Sequence, residues 1–532
     1  MKKYFLSIIT AALAMSASAQ SLEEGIKMYK YECYTKAQQI LTPLAATSTT
    51  ANYYLGLSLL ELGKIPEARA VFAKYADDAA NLAGTARTTF YQGHPDVGMQ
   101  IAQNVAAKAK KKEWEQLKYA ADAITYSDGG NYQVAVDWYK KALSITDNAD
   151  LHIALGDAYL HILGGGGEAM NNYENVTGKD PKNSLAFSRI GALWYASKNY
   201  GLALESYEKA KEADPTNPLP YRDLARAYSR SGNFDKALEN VQQYVKLSCE
   251  ADEAEYMDIL FLSKHYKDAI NKANELINKG IVKPRFYGVL GFSEYEVGDS
   301  VNSLKHARIY FMEMDPKKLT PGDYITFSKI FLMNHLNDSA DQYFAQAVKS
   351  DTASNKSDTY RMIAEAFRVA HDWSKSAYWY YKLVSEYPET QPVDYYYAAV
   401  MYYYAKDYTN AAPAAEKFET KYPDQSSSTY WRGRVAAAID SEATQGTAVP
   451  FYTKWLDKIG TNTDKKNDMK IAYEYLLLYA YNKEDKEGMK KYVDLINTID
   501  PNDVLKKQIE EVLKQPKGGT KTQSKTPAKK GK

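Results

Sequence analysis

Arg222, Arg226 and Arg230 stand four residues apart, the spacing that puts side chains on one side of a helix. A row of guanidiniums is chemistry for anions, because each planar fork offers two parallel N–H bonds to a carboxylate or phosphate. Arg189 is the candidate that would extend the row. The plainer expectation is that these arginines pair with neighbouring acids, as surface charges usually do. A second patch is aromatic. Tyr396, Tyr403 and Tyr404 lie among core-spaced tyrosines such as Tyr395, Tyr402 and Tyr408. Rigid amphipathic tyrosines suit peptide contact or stacking on sugar rings, although an aromatic stripe at helical spacing is more often core.

Spacings that signal catalysis or metal binding do not occur in the sequence. The seven histidines are scattered, with no H-E-x-x-H, paired C-x-x-C or EF-hand pattern. His152 and His161 read as satisfied or exposed side chains. The tract Gly164 to Gly167 is followed by Glu168 and Ala169, not by the Lys and Ser/Thr that a phosphate loop requires. It reads as a lengthened turn. No G-x-S-x-G elbow is present. The expectation is no metal, no cofactor and no enzyme.

The elements that must position these residues are repeats. Phe187, Ile190, Gly191, Trp194, Tyr200, Ala203, Tyr207 and Ala210, with Pro215, superpose on Tyr221, Leu224, Ala225, Tyr228, Phe234, Ala237, Val241 and Tyr244 at a spacing of 34. Copies recur around Leu55, Gly56 and Phe72, around Tyr132 and Tyr139, around Gly156 and Tyr173, and around Tyr287 and Leu290. Further copies surround Phe331 and Phe344, Tyr360 and Tyr380, Tyr395 and Phe418, and Tyr473 and Val493. The pattern resembles the tetratricopeptide repeat family. It predicts an all-α solenoid of roughly 12–14 stacked antiparallel helix pairs, with a closing helix over Asp503 to Lys514. The resemblance implies that the small Gly191 lets the two helices of a pair approach closely. It also implies a concave groove lined by the first helix of each pair, with Arg222, Arg226, Arg230 and the tyrosines 396, 403 and 404 on its inner side. The family's carboxylate clamp of Lys, Asn and Arg is not matched, since Glu255 and Asp258 stand in the following repeat.

Three stretches fit the pattern poorly: 76–115, 252–283 (which looks shortened) and 426–468, with its polar insertion Asp440 to Thr447. The expected organisation is a signal peptide over 1–19, repeat blocks over 20–148, 149–317 and 318–514, and a disordered Lys-rich tail over 515–532. At 532 residues the chain is too long for one core, and 45% apolar residues suffice for a continuous stack. A net charge of +1 provides no field to attract nucleic acid. Lys2 and Lys3, the apolar run to Met15 and Ala17-Ser18-Ala19 form a secretory leader, too short to span a bilayer. Export to the periplasm follows as the expected location, possible outer-membrane association included, with the six tail lysines able to touch an anionic membrane or cell-wall surface. Cys33 and Cys249, many repeats apart, are expected as separate thiols, because a bridge needs Cα atoms within about 7 Å.

Three function classes fit. The first is a non-enzymatic envelope scaffold or adaptor that binds partner proteins through its concave face. The second is a glycan- or nutrient-binding helical protein of the outer-membrane surface. The third, an enzyme on a helical superstructure, needs a catalytic domain for which the repeats leave no room.

Overall fold

The computed structural model describes residues 21–460 and 463–514. The expected signal peptide and Lys-rich tail lie outside them. Among the described residues the protein is all-helical, with 29 α-helices packed in consecutive pairs as a tetratricopeptide-like solenoid. The last helix, Val504–Lys514, closes the series through Leu505 and Ile509. The described residues fall into two compact units, which divide between Ser293 and Glu294.

Local chemistry sets the helix boundaries. In the two strongest repeats all four helices start on an asparagine cap. Asn183, Asn199, Asn217 and Asn233 each accept a backbone N–H of the first turn, satisfying a donor that the helix cannot. The turn inside each pair passes through a left-handed residue, Lys198 at φ +62° and Gly232 at φ +78°. Glycine suits that conformation because it has no Cβ to clash.

Close approach within pairs depends on the same residue. A Cβ on Gly191 would lie 2.6 Å from the Tyr207 ring, one on Gly156 2.4 Å from Tyr173, and one on Gly56 2.3 Å from Phe72. In the second unit Gly433 is covered in the same way by Tyr452 at 2.8 Å. Each ring therefore sits directly on the backbone of the partner helix. The second unit carries one continuous core from Tyr360 to Ile509.

The poorly patterned stretches are helix pairs too. Ala79–Tyr91 pairs with Pro95–Ala107, and a short Glu253–Leu262 pairs with Tyr266–Asn278. Ser426–Ile439 and Val449–Ile459 are joined by a loop wound around Asp440. The Asp440 carboxylate accepts the N–H groups of Thr444, Gln445, Gly446 and Thr447 and the Tyr475 hydroxyl at 2.7 Å.

One expectation is overturned. Cys33 and Cys249 are bonded to each other, with Cα atoms 5.1 Å apart. Each stacked pair adds a small rotation, and the first unit curves until its opening hairpin (21–30 and Tyr34–Leu41) meets its seventh pair. That pair is formed by Pro218–Arg230 and Phe234–Leu247. Polar contacts flank the bridge: Glu32 accepts from Arg222 at 2.5 Å, Glu250 accepts the Thr35 N–H at 2.5 Å, and the Tyr31 hydroxyl bonds Asp214.

The Gly156 contact is the most constrained, because the Tyr173 hydroxyl is held by Asp157 at 2.8 Å and the ring cannot retreat. Gly156→Ala is expected to destabilise the first unit by about 1–3 kcal/mol. Urea unfolding followed by circular dichroism measures it, and an unchanged midpoint would refute the packing account.

Candidate functional site

The first helices of consecutive pairs turn one face inward, and in the first unit these faces line a half-open cavity of about 750 Å³. Thr49–Glu61 contributes Tyr53, Tyr54 and Glu61, and Ala79–Tyr91 contributes Arg87. Glu115–Thr125 contributes Lys118, Tyr119 and Asp122, and Ala149–Tyr159 contributes Asp157. Arg189 comes from Ser184–Ala196, and the opening hairpin closes one wall with Tyr29, Glu32 and Tyr34.

The polar groups in these walls are locked to one another. Asp157 accepts four bonds: Arg189 Nε at 2.8 Å and Nη2 at 3.1 Å, the Tyr126 hydroxyl at 3.0 Å and the Tyr173 hydroxyl at 2.8 Å. One carboxylate thus ties three successive repeats. One repeat earlier, Asp122 takes the Tyr139 hydroxyl at 2.7 Å and Lys118 Nζ at 2.6 Å. Burial opposes the charge on Lys118, but Asp122 more than compensates and holds its pKa above the ordinary lysine value. Arg87, only 4% exposed, donates to Glu61 at 3.1 Å and to the Tyr126 carbonyl at 3.3 Å. Its Nε is buried with no hydrogen-bond partner among the described residues. An orphaned donor of that kind costs stability, and natural proteins keep few of them.

The tyrosines form an edge-to-face chain, with Tyr29 to Tyr54 at 5.5 Å, Tyr54 to Tyr53 at 5.4 Å and Tyr53 to Tyr119 at 5.5 Å between ring centres. Burial pushes the Tyr54 phenol up to about 12 and drives those of Tyr53 and Tyr126 well above the ordinary value. All three therefore stay protonated and remain hydrogen-bond donors at neutral pH.

The arginine row is dispersed among partners. Arg189 faces the cavity on Asp157. Arg222 holds Glu32 and Asp223, and Arg226 forms a two-pronged pair with Glu255 at 2.7 and 2.8 Å. Arg230 is exposed beside Tyr195. Farther along, Asp258 pairs with Arg285. In the second unit Tyr396, Tyr403 and Tyr404 do come together. They surround Trp431 with ring centres 6.0, 5.3 and 6.4 Å away, and Arg434 donates to the Tyr403 hydroxyl at 2.8 Å. Tyr404 is 53% exposed. Sequence reasoning passed over Arg87, Lys118, Asp122 and Asp157, because each alone reads as a surface charge. The signal available was the recurrence of an acid followed by a tyrosine, Asp122 with Tyr139 and Asp157 with Tyr173.

Two sequence profiles described as tetratricopeptide repeat match residues 163–218 and 195–247. Residues 163–247 carry tetratricopeptide repeats. Tetratricopeptide repeats are in general non-catalytic scaffolds. No curated protein matches the chain. Among solved structures, the C-terminal part of a tetratricopeptide repeat-containing protein from Cytophaga hutchinsonii is 26% identical. The match covers 48% of this chain and 97% of that one, at a TM-score of 0.40. A tetratricopeptide repeat protein from Parabacteroides merdae is 17% identical over 48% of this chain and 98% of that one, at a TM-score of 0.32. A chain of the APC/C Cut9–Hcn1 hetero-tetramer is 12% identical over 96% and 99%, at a TM-score of 0.31.

Two outcomes test the electrostatics of these tetratricopeptide faces. Asp157→Ala strands two tyrosine hydroxyls and Arg189, and is expected to cost about 3 kcal/mol in the first urea transition; a loss near zero would refute the tie. Asp258 is raised to about 6 by burial, against the opposing pull of Arg285. The folded state therefore binds a proton between about pH 4 and 6 that the unfolded chain does not, so stability rises as pH falls from 7 to 5. Asp258→Asn should remove that rise, and a carboxylate signal titrating near 4 in NMR would refute the shift.

Proposed function

We propose that this tetratricopeptide protein is a non-enzymatic scaffold of the cell envelope that binds partner proteins through the inner faces of its repeats. The tyrosine-lined cavity of the first unit is the principal site. The observation that carries the reading is the convergence of five successive inner helices and the opening hairpin on that cavity. Rigid tyrosines supply contact area at low entropic cost. The fixed pairs Arg87–Glu61, Lys118–Asp122 and Arg189–Asp157 present preoriented donors and acceptors along its wall. The aromatic cluster around Trp431 offers a second contact face in the other unit.

Two features support export. The first 19 residues have the composition of a secretory leader, and disulfides persist in oxidising compartments, where Cys33–Cys249 would be stable. No helix among the described residues is long and apolar enough to cross a bilayer. The lysines after Lys514 would give peripheral contact with an anionic surface.

A second reading rests on the volume. At about 750 Å³ the cavity is in the range of small-ligand sites, and tyrosine faces beside paired charges would also suit a glycan or nutrient. A photoreactive residue at position 54 or 119, followed by mass spectrometry, decides between the two. The expected result is a specific protein adduct that Tyr53→Ala reduces at least about tenfold. No protein adduct, together with retention on an oligosaccharide array, would overturn the scaffold reading in favour of the glycan.

A further inference from the structure

We propose that Cys33–Cys249 is a reversible redox site, and that its cleavage by a dithiol reductant opens the wall of the cavity formed by the opening hairpin. The inference rests on the cavity being the recognition site.

The seam that the bridge closes differs from every other junction in the first unit. On one side the hairpin is packed by apolar side chains. Met28, Tyr31, Ala37 and Leu41 share a core with Leu55, Leu59 and Phe72 of the second pair. That core contains no residue of the seventh pair. Toward the seventh pair the contacts are polar: Arg222 to Glu32, Tyr31 to Asp214 and Thr216, and Thr35 to Glu250. Arg222–Glu32 and Tyr31–Asp214 are part-buried and Thr35–Glu250 is exposed, and no apolar core shared with the seventh pair backs any of them. The disulfide is the one covalent tie across the seam. The hairpin also supplies Tyr29, Lys30, Glu32 and Tyr34 to the cavity, so the seam and the cavity wall are the same structure.

The two sulfurs are unequal. Cys33 is 1% exposed, whereas Cys249 is exposed. The backbone N–H of Cys249 donates to Cys33 Sγ at 3.2 Å. A reductant thiolate can therefore reach Cys249 Sγ. The Sγ–Sγ bond breaks, its electron pair goes to Cys33, and the departing thiolate is stabilised by a hydrogen bond already in place. The reductant's second thiolate then displaces Cys249. The reductant leaves as a disulfide, and its two protons end on Cys33 and Cys249. The partner class is a protein dithiol oxidoreductase or a small dithiol.

The test uses the full chain, with spin labels on p-acetylphenylalanine at positions 36 and 246, one on each side of the seam. The oxidised protein should give one narrow distance distribution. Native treatment with dithiothreitol should lengthen and broaden it by about 5 Å or more, with helical circular dichroism unchanged. Cys33→Ser with Cys249→Ser should reproduce the reduced distribution. An unchanged distance after complete reduction would overturn the proposal. So would a bridge that resists dithiothreitol until urea is added, or a loss of helix that marks it as a staple for the whole unit. None of these readouts needs a partner. Crosslinking yield from position 54 in both redox states separately tests the recognition reading beneath it.

Discussion

An aromatic ring seated on the bare backbone of its partner helix is the contact on which the rest of this solenoid depends. Phe72 on Gly56, Tyr173 on Gly156, Tyr207 on Gly191 and Tyr452 on Gly433 are copies of one arrangement. The ring fills the space a side chain would have occupied and fixes how closely the two helices approach. Repetition of that approach fixes the step from one pair to the next. From the step follow the curvature of the first unit and the inward turn of its first helices.

The same tyrosine does a second job. Tyr173 lays its ring on Gly156 and extends its hydroxyl through the pair to Asp157 on the inner face. Tyr139 reaches Asp122 in the same manner. The core is thereby coupled to the groove, and a side chain placed by packing orients a carboxylate on the cavity wall. Charged pairs in a wall of this kind are not an efficient way to stabilise a protein, since apolar residues of equal volume often do as well or better. Their retention across consecutive repeats is easier to understand as a cost accepted for a surface with fixed donors and acceptors.

What the sequence disclosed follows the same division. The helix pair is a local object. Phe187 to Pro215 and Tyr221 to Tyr244 spell out its small and large positions, so the fold class and the close approach at Gly191 were readable. The pair at 76–115 was obscured because its glycines, Gly84 and Gly98, pack against Phe72 and Phe90 outside the expected register. The cavity was not readable, because Arg87, Lys118, Asp122 and Asp157 come from successive repeats and meet only after the stack has curved. The disulfide failed for the same reason, amplified. A linear stack puts Cys33 and Cys249 far apart, and a small rotation per repeat, which no single repeat encodes visibly, brings them within 5.1 Å.

The separation of 216 residues between the bonded cysteines has a temporal meaning. A chain made at about 5–20 residues per second delivers Cys249 some 10 to 40 s after Cys33. Six helix pairs follow the first cysteine before its mate is made. The bond therefore acts as a record of completion. Its geometry is met when the intervening repeats are in place and their curvature has accumulated, so the bond reports on the whole stack between the two cysteines rather than on any one repeat.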